Sequence, residues 1–163
     1  VKENIGKYPD FVAQLYFHIG NIYQDLKCYT VALRNYKSSI HTIRKSLGYD
    51  HVDAAYVLYN VGDVHSKMGC LHKSVKSYKE ALRLMKLNLG DVSCPVAKCL
   101  SAIGGVYLQL GKEQEAQDVF EDSATITELI TQGMQSRTLE VSVAKSSMKE
   151  IQTENKFLAA ASA

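Results

Sequence analysis

The sequence predicts an all-α protein, a right-handed solenoid of stacked antiparallel helix pairs, and three observations carry that prediction. Glycines recur in register: Gly20, Gly62 and Gly104 lie 42 residues apart, and so do Gly6, Gly48 and Gly90. The apolar residues between them keep the three- and four-residue spacing of helices with one buried face. Only two prolines occur in 163 residues, which leaves room for long uninterrupted helices.

Other series share the register. Tyr36, Tyr78 and Phe120 form one, Ile19, Val61 and Ile103 another, and Ala32, Ser74 and Ala116 a third. In the first copy Phe11, Leu15, Ile19 and Tyr23 predict a helix over 10–26. Ala32, Leu33, Tyr36, Ile40 and Ile43 predict its return over 29–47. In the second copy Ala55, Leu58, Val61, Gly62 and His65 predict a helix over 52–68, and Val75, Tyr78, Leu82, Met85 and Leu89 one over 71–89. Gly69 lies between them and tolerates the positive φ that ends a helix. Pro95 suits the first turn of a helix over 94–110 striped by Val96, Leu100, Ile103 and Tyr107. After Gly111, the matching partner of Gly69 with Lys27 as the first-copy equivalent, Ala116, Val119, Phe120, Ala124 and Ile126 predict a helix over 113–131.

A glycine inside a helix costs about 1 kcal/mol relative to alanine, so Gly20, Gly62 and Gly104 need compensation. Close approach of the first helix of each pair to Tyr36, Tyr78 or Phe120 on the second supplies it. One helix pair cannot bury both its faces, so copies must stack, with first helices on the concave side and second helices on the convex side.

The array is expected over residues 1–133, with the end of a truncated copy at 1–9 and full repeats at 10–51, 52–93 and 94–133. The start at Val rather than Met, and Gly6 in register, read as a fragment of a longer array. Gly133 is expected to end the last helix. Residues 134–163 then form a capping helix or a tail, with a loose stripe of Leu139, Val143, Met148, Ile151 and Leu158, and fraying from Phe157 as the alternative.

These residues resemble the tetratricopeptide repeat. Its pattern is met by Leu100, Ile103-Gly104, Tyr107, Gly111, Ala116, Phe120 and Ser123 in copy three. Copy two supplies Leu58, Val61-Gly62, His65, Gly69, Ser74, Tyr78 and Ala81, and copy one Tyr16, Ile19-Gly20, Tyr23, Lys27, Ala32, Tyr36 and Ser39. The 42-residue period exceeds the family's usual length of about 34. With the linker Leu47-Gly48-Tyr49-Asp50-His51, it is similar to the long-helix type found in kinesin light chains and nephrocystin-like proteins. The resemblance implies a scaffold or adaptor that binds a partner peptide or helix in the concave groove.

Composition excludes several other classes. Nineteen Lys+Arg against 17 Asp+Glu give a formal charge of +2, too balanced for a nucleic-acid or membrane-surface binder, and no aromatics interleave the basic residues. No run approaches the roughly 18 apolar residues of a spanning helix, and the N-terminus has no signal-peptide core. Cys28 and Cys70 sit one repeat apart, and stacked helices at about 8–10 Å exceed the disulfide limit of about 7 Å. Cys94 and Cys99 lack ligand spacing with any histidine. Free thiols of a reducing, cytoplasmic compartment are expected, with Cys28 and Cys70 the more exposed. His65 fills an aromatic slot, His51 can serve a helix start, and His41 and His72 read as solvated. With no nucleophile–base set, phosphate loop or paired carboxylates, no enzyme activity, metal or cofactor is expected.

By register the concave positions are Gln14, Phe17, His18, Asn21 and Gln24 in copy one, and Tyr56, Tyr59, Asn60, Asp63 and Ser66 in copy two. Copy three contributes Lys98, Ser101, Ala102 and Gly105. Amides pair with both groups of a peptide backbone and aromatics give flat apolar contact, so this mixture suits peptide capture. The plainer alternative is the polar inner face of a spacer. The carboxylate-clamp type of the family implies Asn21, Asn60 and Lys98, which match, but Phe17 and Ala102 replace its other two cations.

On the outer helices Arg34, Lys37 and Arg44 recur as Lys76, Lys79 and Lys86, and the third copy inverts them to Asp118, Glu121 and Glu128. A solvated face accounts for this pattern. It also leaves a second expectation, a structural subunit or spacer held in a larger complex through its outer face and tail.

Overall fold

The computed structural model describes residues 9–161. Its helices are α1 (Pro9–Asp25), α2 (Tyr29–Ser46), α3 (Val52–Lys67), α4 (Leu71–Leu89), α5 (Cys94–Gln109) and α6 (Glu113–Ala161), with no strand among the described residues. The fold is an all-α repeat solenoid. Residues up to Thr127 form one compact unit and those from Glu128 a second.

In the first unit each helix pair is closed by the same turn. The Cys28 N–H donates to the Tyr23 carbonyl at 2.8 Å and the Lys27 N–H to Gln24 at 2.9 Å. Cys70 to His65 (2.8 Å) and Gly69 to Ser66 (2.9 Å) repeat it, as do Lys112 to Tyr107 (2.9 Å) and Gly111 to Leu108 (3.0 Å). This crossed pair of bonds satisfies the last carbonyls of a helix and requires a left-handed residue at its centre. Gly69 (φ 73°) and Gly111 (φ 71°) supply it, and Lys27 adopts it at φ 59° despite its side chain.

The in-helix glycines are explained by contact. A Cβ on Gly20 would fall 2.5 Å from Tyr36 Cε1, one on Gly62 2.7 Å from Tyr78 Cδ1, and one on Gly104 2.7 Å from Phe120 Cε1. Tyr36 and Tyr78 are buried there with Val64, Leu84, Met85, Val96 and Ile103. One serine in each pair bonds its hydroxyl across to the facing backbone: Ser39 to Ala13, Ser74 to Gly62 and Ser123 to Ala97, each at 2.8 Å.

Neighbouring repeats are tied at their linker. Arg83 Nη2 lies 2.7 Å from the Asp50 carboxylate, and Asn88 Nδ2 donates to the Asp50 carbonyl at 2.7 Å. His51 caps α3, its Nδ1 accepting from the Asp53 N–H at 3.2 Å.

One expectation fails. The last helix does not end at Gly133 but runs through it to Ala161. Gly133 has no positive φ, and nothing lies within 4 Å of where its Cβ would be. Without a left-handed turn to form, this glycine is only a weak helix residue, costing about 1 kcal/mol that its neighbours absorb. Helix also spans residues 157–161, where fraying was the alternative. In the second unit Leu129 and Met134 are exposed. The side chains of the Leu139-to-Leu158 stripe, and the truncated copy before Pro9, lie outside the described residues.

Candidate functional site

An open cavity of about 560 Å³ lies between α1 and α3. Asp10, Ala13, Gln14, Phe17 and His18 line it from α1, and Asp53, Tyr56, Val57, Tyr59 and Asn60 from α3. Ser39 and Ile43 of α2, with Leu47 just past its end, complete the lining. Six of the register-predicted residues therefore meet in one place: Gln14, Phe17, His18, Tyr56, Tyr59 and Asn60. Asp10 and Asp53 line it as well, outside the positions expected from the register. They stand one helical turn before Gln14 and Tyr56, so extending each stripe backwards by four and three residues would have found them.

The aromatic rings are held from behind. Phe17 packs tilted against Tyr36 with centroids 6.0 Å apart, and Tyr59 against Tyr78 at 5.2 Å. The Tyr36 hydroxyl lies 2.7 Å from Asn21 Oδ1 and 2.8 Å from Gln24 Oε1, its single proton shared between them. Asn60 Nδ2 donates to the same Asn21 oxygen at 2.9 Å, joining two repeats. Burial pushes the Tyr36 phenol up to about 12, with the Asn60 hydrogen bond opposing and the Asp25 and Asp63 carboxylates adding to the rise. Asn21 is thus the hub of a polar cluster beside the cavity.

The remaining predicted residues do not line the cavity. Asp63 accepts a short hydrogen bond from the Tyr78 hydroxyl, and burial with that bond raises the phenol well above its ordinary value. Ser101 donates to Ser123 Oγ at 2.8 Å, because the Ser123 proton is committed to the Ala97 carbonyl. Lys98 is exposed and belongs to α5. Gln24 and Ser66 are half-buried near the ends of α1 and α3, and Ala102 and Gly105 half-buried on α5.

The four cysteines are free. Their exposure differs from expectation in one respect: Cys28 and Cys94 are exposed, whereas Cys70 is half-buried in the turn between α3 and α4 and Cys99 is buried. Burial pushes the Cys99 thiol up to about 12, so it stays protonated. His65 is half-buried with Nδ1 unpaired, and burial lowers its pKa, with Lys73 adding to the effect. On α2 and α4 Arg34, Lys37 and Lys76 are exposed, while Arg44 lies 3.9 Å from Glu80 and Lys86 3.4 Å from Asp91. Among the described residues no helix is long and apolar enough to cross a membrane.

A family model described as tetratricopeptide repeat matches residues 11–86 and 53–128. No curated protein sequence matches significantly. Among solved structures, BtubC (BKLC) from P. vanneervenii superposes with a TM-score of 0.70 at 18% identity, covering 74% of this chain and 47% of that one. MamA gives 0.60 at 18% identity over 76% and 63%. A kinesin-light-chain-type protein of Podosopora anserina with nearly identical TPR-like repeats gives 0.59 at 15% identity over 71% and 55%. At such identities the likeness is one of fold. The chain spans between about half and just under two thirds of the length of these structures.

Proposed function

The chain belongs to the tetratricopeptide repeat family, whose members serve as protein-interaction scaffolds, and we propose that it holds an extended segment of a partner protein in the groove between α1 and α3. The observation that carries this reading is the cavity itself. Its volume of about 560 Å³ suits one or two inserted side chains, and rings and amides line it together. Phe17, Tyr56 and Tyr59 offer flat apolar contact, and Gln14 and Asn60 offer paired donors and acceptors.

Asn60 donates to Asn21 and holds its carbonyl for the N–H of a peptide backbone. The bond to Asn21 also fixes the amide before a ligand arrives, which lowers the cost of ordering it. Asn21, Asp63 and Ser101 support this face through bonds to their own fold, and Lys98 extends it on α5. The role is binding without catalysis, metal or cofactor, in a reducing, cytoplasmic setting, with a protein rather than a nucleic acid or a membrane as partner.

Peptides selected from a random phage-displayed library on the whole chain test this. Asn60→Ala is expected to weaken the selected peptides by about tenfold to a hundredfold, the loss of a buried pairing of about 1–3 kcal/mol. Lys76→Ala with Lys79→Ala is expected to leave them unchanged. The reverse pattern would replace the groove by an outer-face assembly role. That second reading draws on the exposed cations Arg34, Lys37 and Lys76 and on α6, which continues to Ala161.

A further inference from the structure

The near-zero net charge of the chain hides a segregation by helix. The helix α1 carries Asp10 and Asp25 and no lysine or arginine, and α3 carries Asp53 and Asp63 against Lys67 alone. Their partners are the opposite. The helix α2 carries Arg34, Lys37, Arg44 and Lys45 without an acid, and α4 carries Lys73, Lys76, Lys79, Arg83 and Lys86 against Glu80. Two of the acids, Asp10 and Asp53, line the cavity, and among the described residues no lysine or arginine does. Among the described residues no lysine or arginine neutralises either. Asp10 accepts a long bond from the Ser46 hydroxyl at 3.3 Å, and Asp53 lies 3.7 Å from the His51 ring.

Building on the groove reading above, we propose that the segment it takes carries a lysine or arginine, whose cationic head meets Asp10 and Asp53 while its stem lies against the rings of Phe17 and Tyr56. Three occupants can be compared on chemistry. An acidic segment would meet two like charges and find no cation in the cavity. A wholly apolar segment would strip water from both carboxylates and return nothing. A long basic side chain satisfies both halves of the lining, because its methylenes cover apolar rings and its head forms charge-assisted hydrogen bonds. A cation over an aromatic face adds a further attraction. The basic outer faces of α2 and α4 repel the same segment, so the charge pattern also selects the side on which it lands.

The library selection decides this when its peptides are resynthesised. Enriched sequences are expected to hold a Lys or Arg beside apolar residues. Replacing that residue by norleucine, which keeps the stem and removes the charge, should weaken binding about three- to tenfold, with the difference shrinking at high salt. Asp10→Asn with Asp53→Asn should weaken the parent peptide to a similar degree and leave the norleucine peptide unchanged. If the double variant loses helicity, the norleucine comparison on the unaltered chain decides alone. Neutral or acidic enriched peptides, or equal binding of the norleucine form, overturn the cationic inference, and continued sensitivity to Asn60→Ala then leaves the groove reading standing. Peptides that ignore Asn60→Ala and respond to the outer lysines, or a selection that enriches nothing, overturn both.

Discussion

The Tyr78 hydroxyl donates to the Asp63 carboxylate across the second helix pair, and 42 residues later both partners are gone together, replaced by Phe120 and Gly105. In the first pair Tyr36 and Asn21 keep the arrangement with an amide as acceptor. Hydroxyl and acceptor come and go as a unit because either one alone would be left unpaired. Tyr78→Phe should therefore cost about 1–2 kcal/mol in urea unfolding. Combined with Asp63→Ala, the loss should fall short of the sum of the single losses by about 1 kcal/mol. Strict additivity would mean that the bond contributes nothing.

Adjacent glycines on α5 should respond with opposite signs. Gly104→Ala places a Cβ 2.7 Å from the Phe120 ring and should destabilise by about 1–3 kcal/mol. Gly105→Ala meets nothing within 4 Å and should stabilise by about 1 kcal/mol through helix propensity. Melting temperatures of the two variants check the pair, and equal shifts would mean that the repeat register is misplaced.

Lys27 holds the left-handed position that Gly69 and Gly111 hold elsewhere. A side chain there costs about 1–2 kcal/mol, partly offset by the extra freedom glycine has when unfolded. Lys27→Gly should raise stability by about 0.5–1 kcal/mol. Gly69→Lys should do the reverse. Denaturant midpoints measure both.

Alkali should unfold the protein through its buried phenols. Burial raises Tyr36 from 10.0 to about 12, so between those values the unfolded chain has lost a proton that the folded one keeps. Stability is then full below about pH 10 and falls as pH rises through the folded value. Burial, first of its causes, raises Tyr78 in the same direction. Tyr36→Phe should lower stability at neutral pH yet make its fall above about pH 10 shallower. Urea midpoints across that window provide the comparison, and an unchanged slope would count against the buried phenol as the cause.

The repeat and its central contact were legible in the chain because each copy states them again. Gly20 with Tyr36, Gly62 with Tyr78 and Gly104 with Phe120 are three occurrences of one helix-to-helix approach, and their shared spacing predicts it before any coordinates. The same holds for the turns at Lys27, Gly69 and Gly111, and for helix bounds that fall within about one residue of those expected over α1 to α5. These features depend on local spacing alone. Others depend on how one repeat lies on the next, and only the stacked structure decides them. Asn21 and Asn60 each read as an open groove amide, yet they bond to each other across 39 residues. Arg83 finds Asp50 of the linker with no signal in the spacing of its helix, and Asp10 joins Asp53 at one cavity only once the two helices lie side by side. Gly133 shows the same limit in reverse, since a glycine ends a helix only where the chain has a turn to make, and α6 has none there. Helical period sets the direction in which a side chain leaves its own helix, whereas the crossing of two helices sets what it meets.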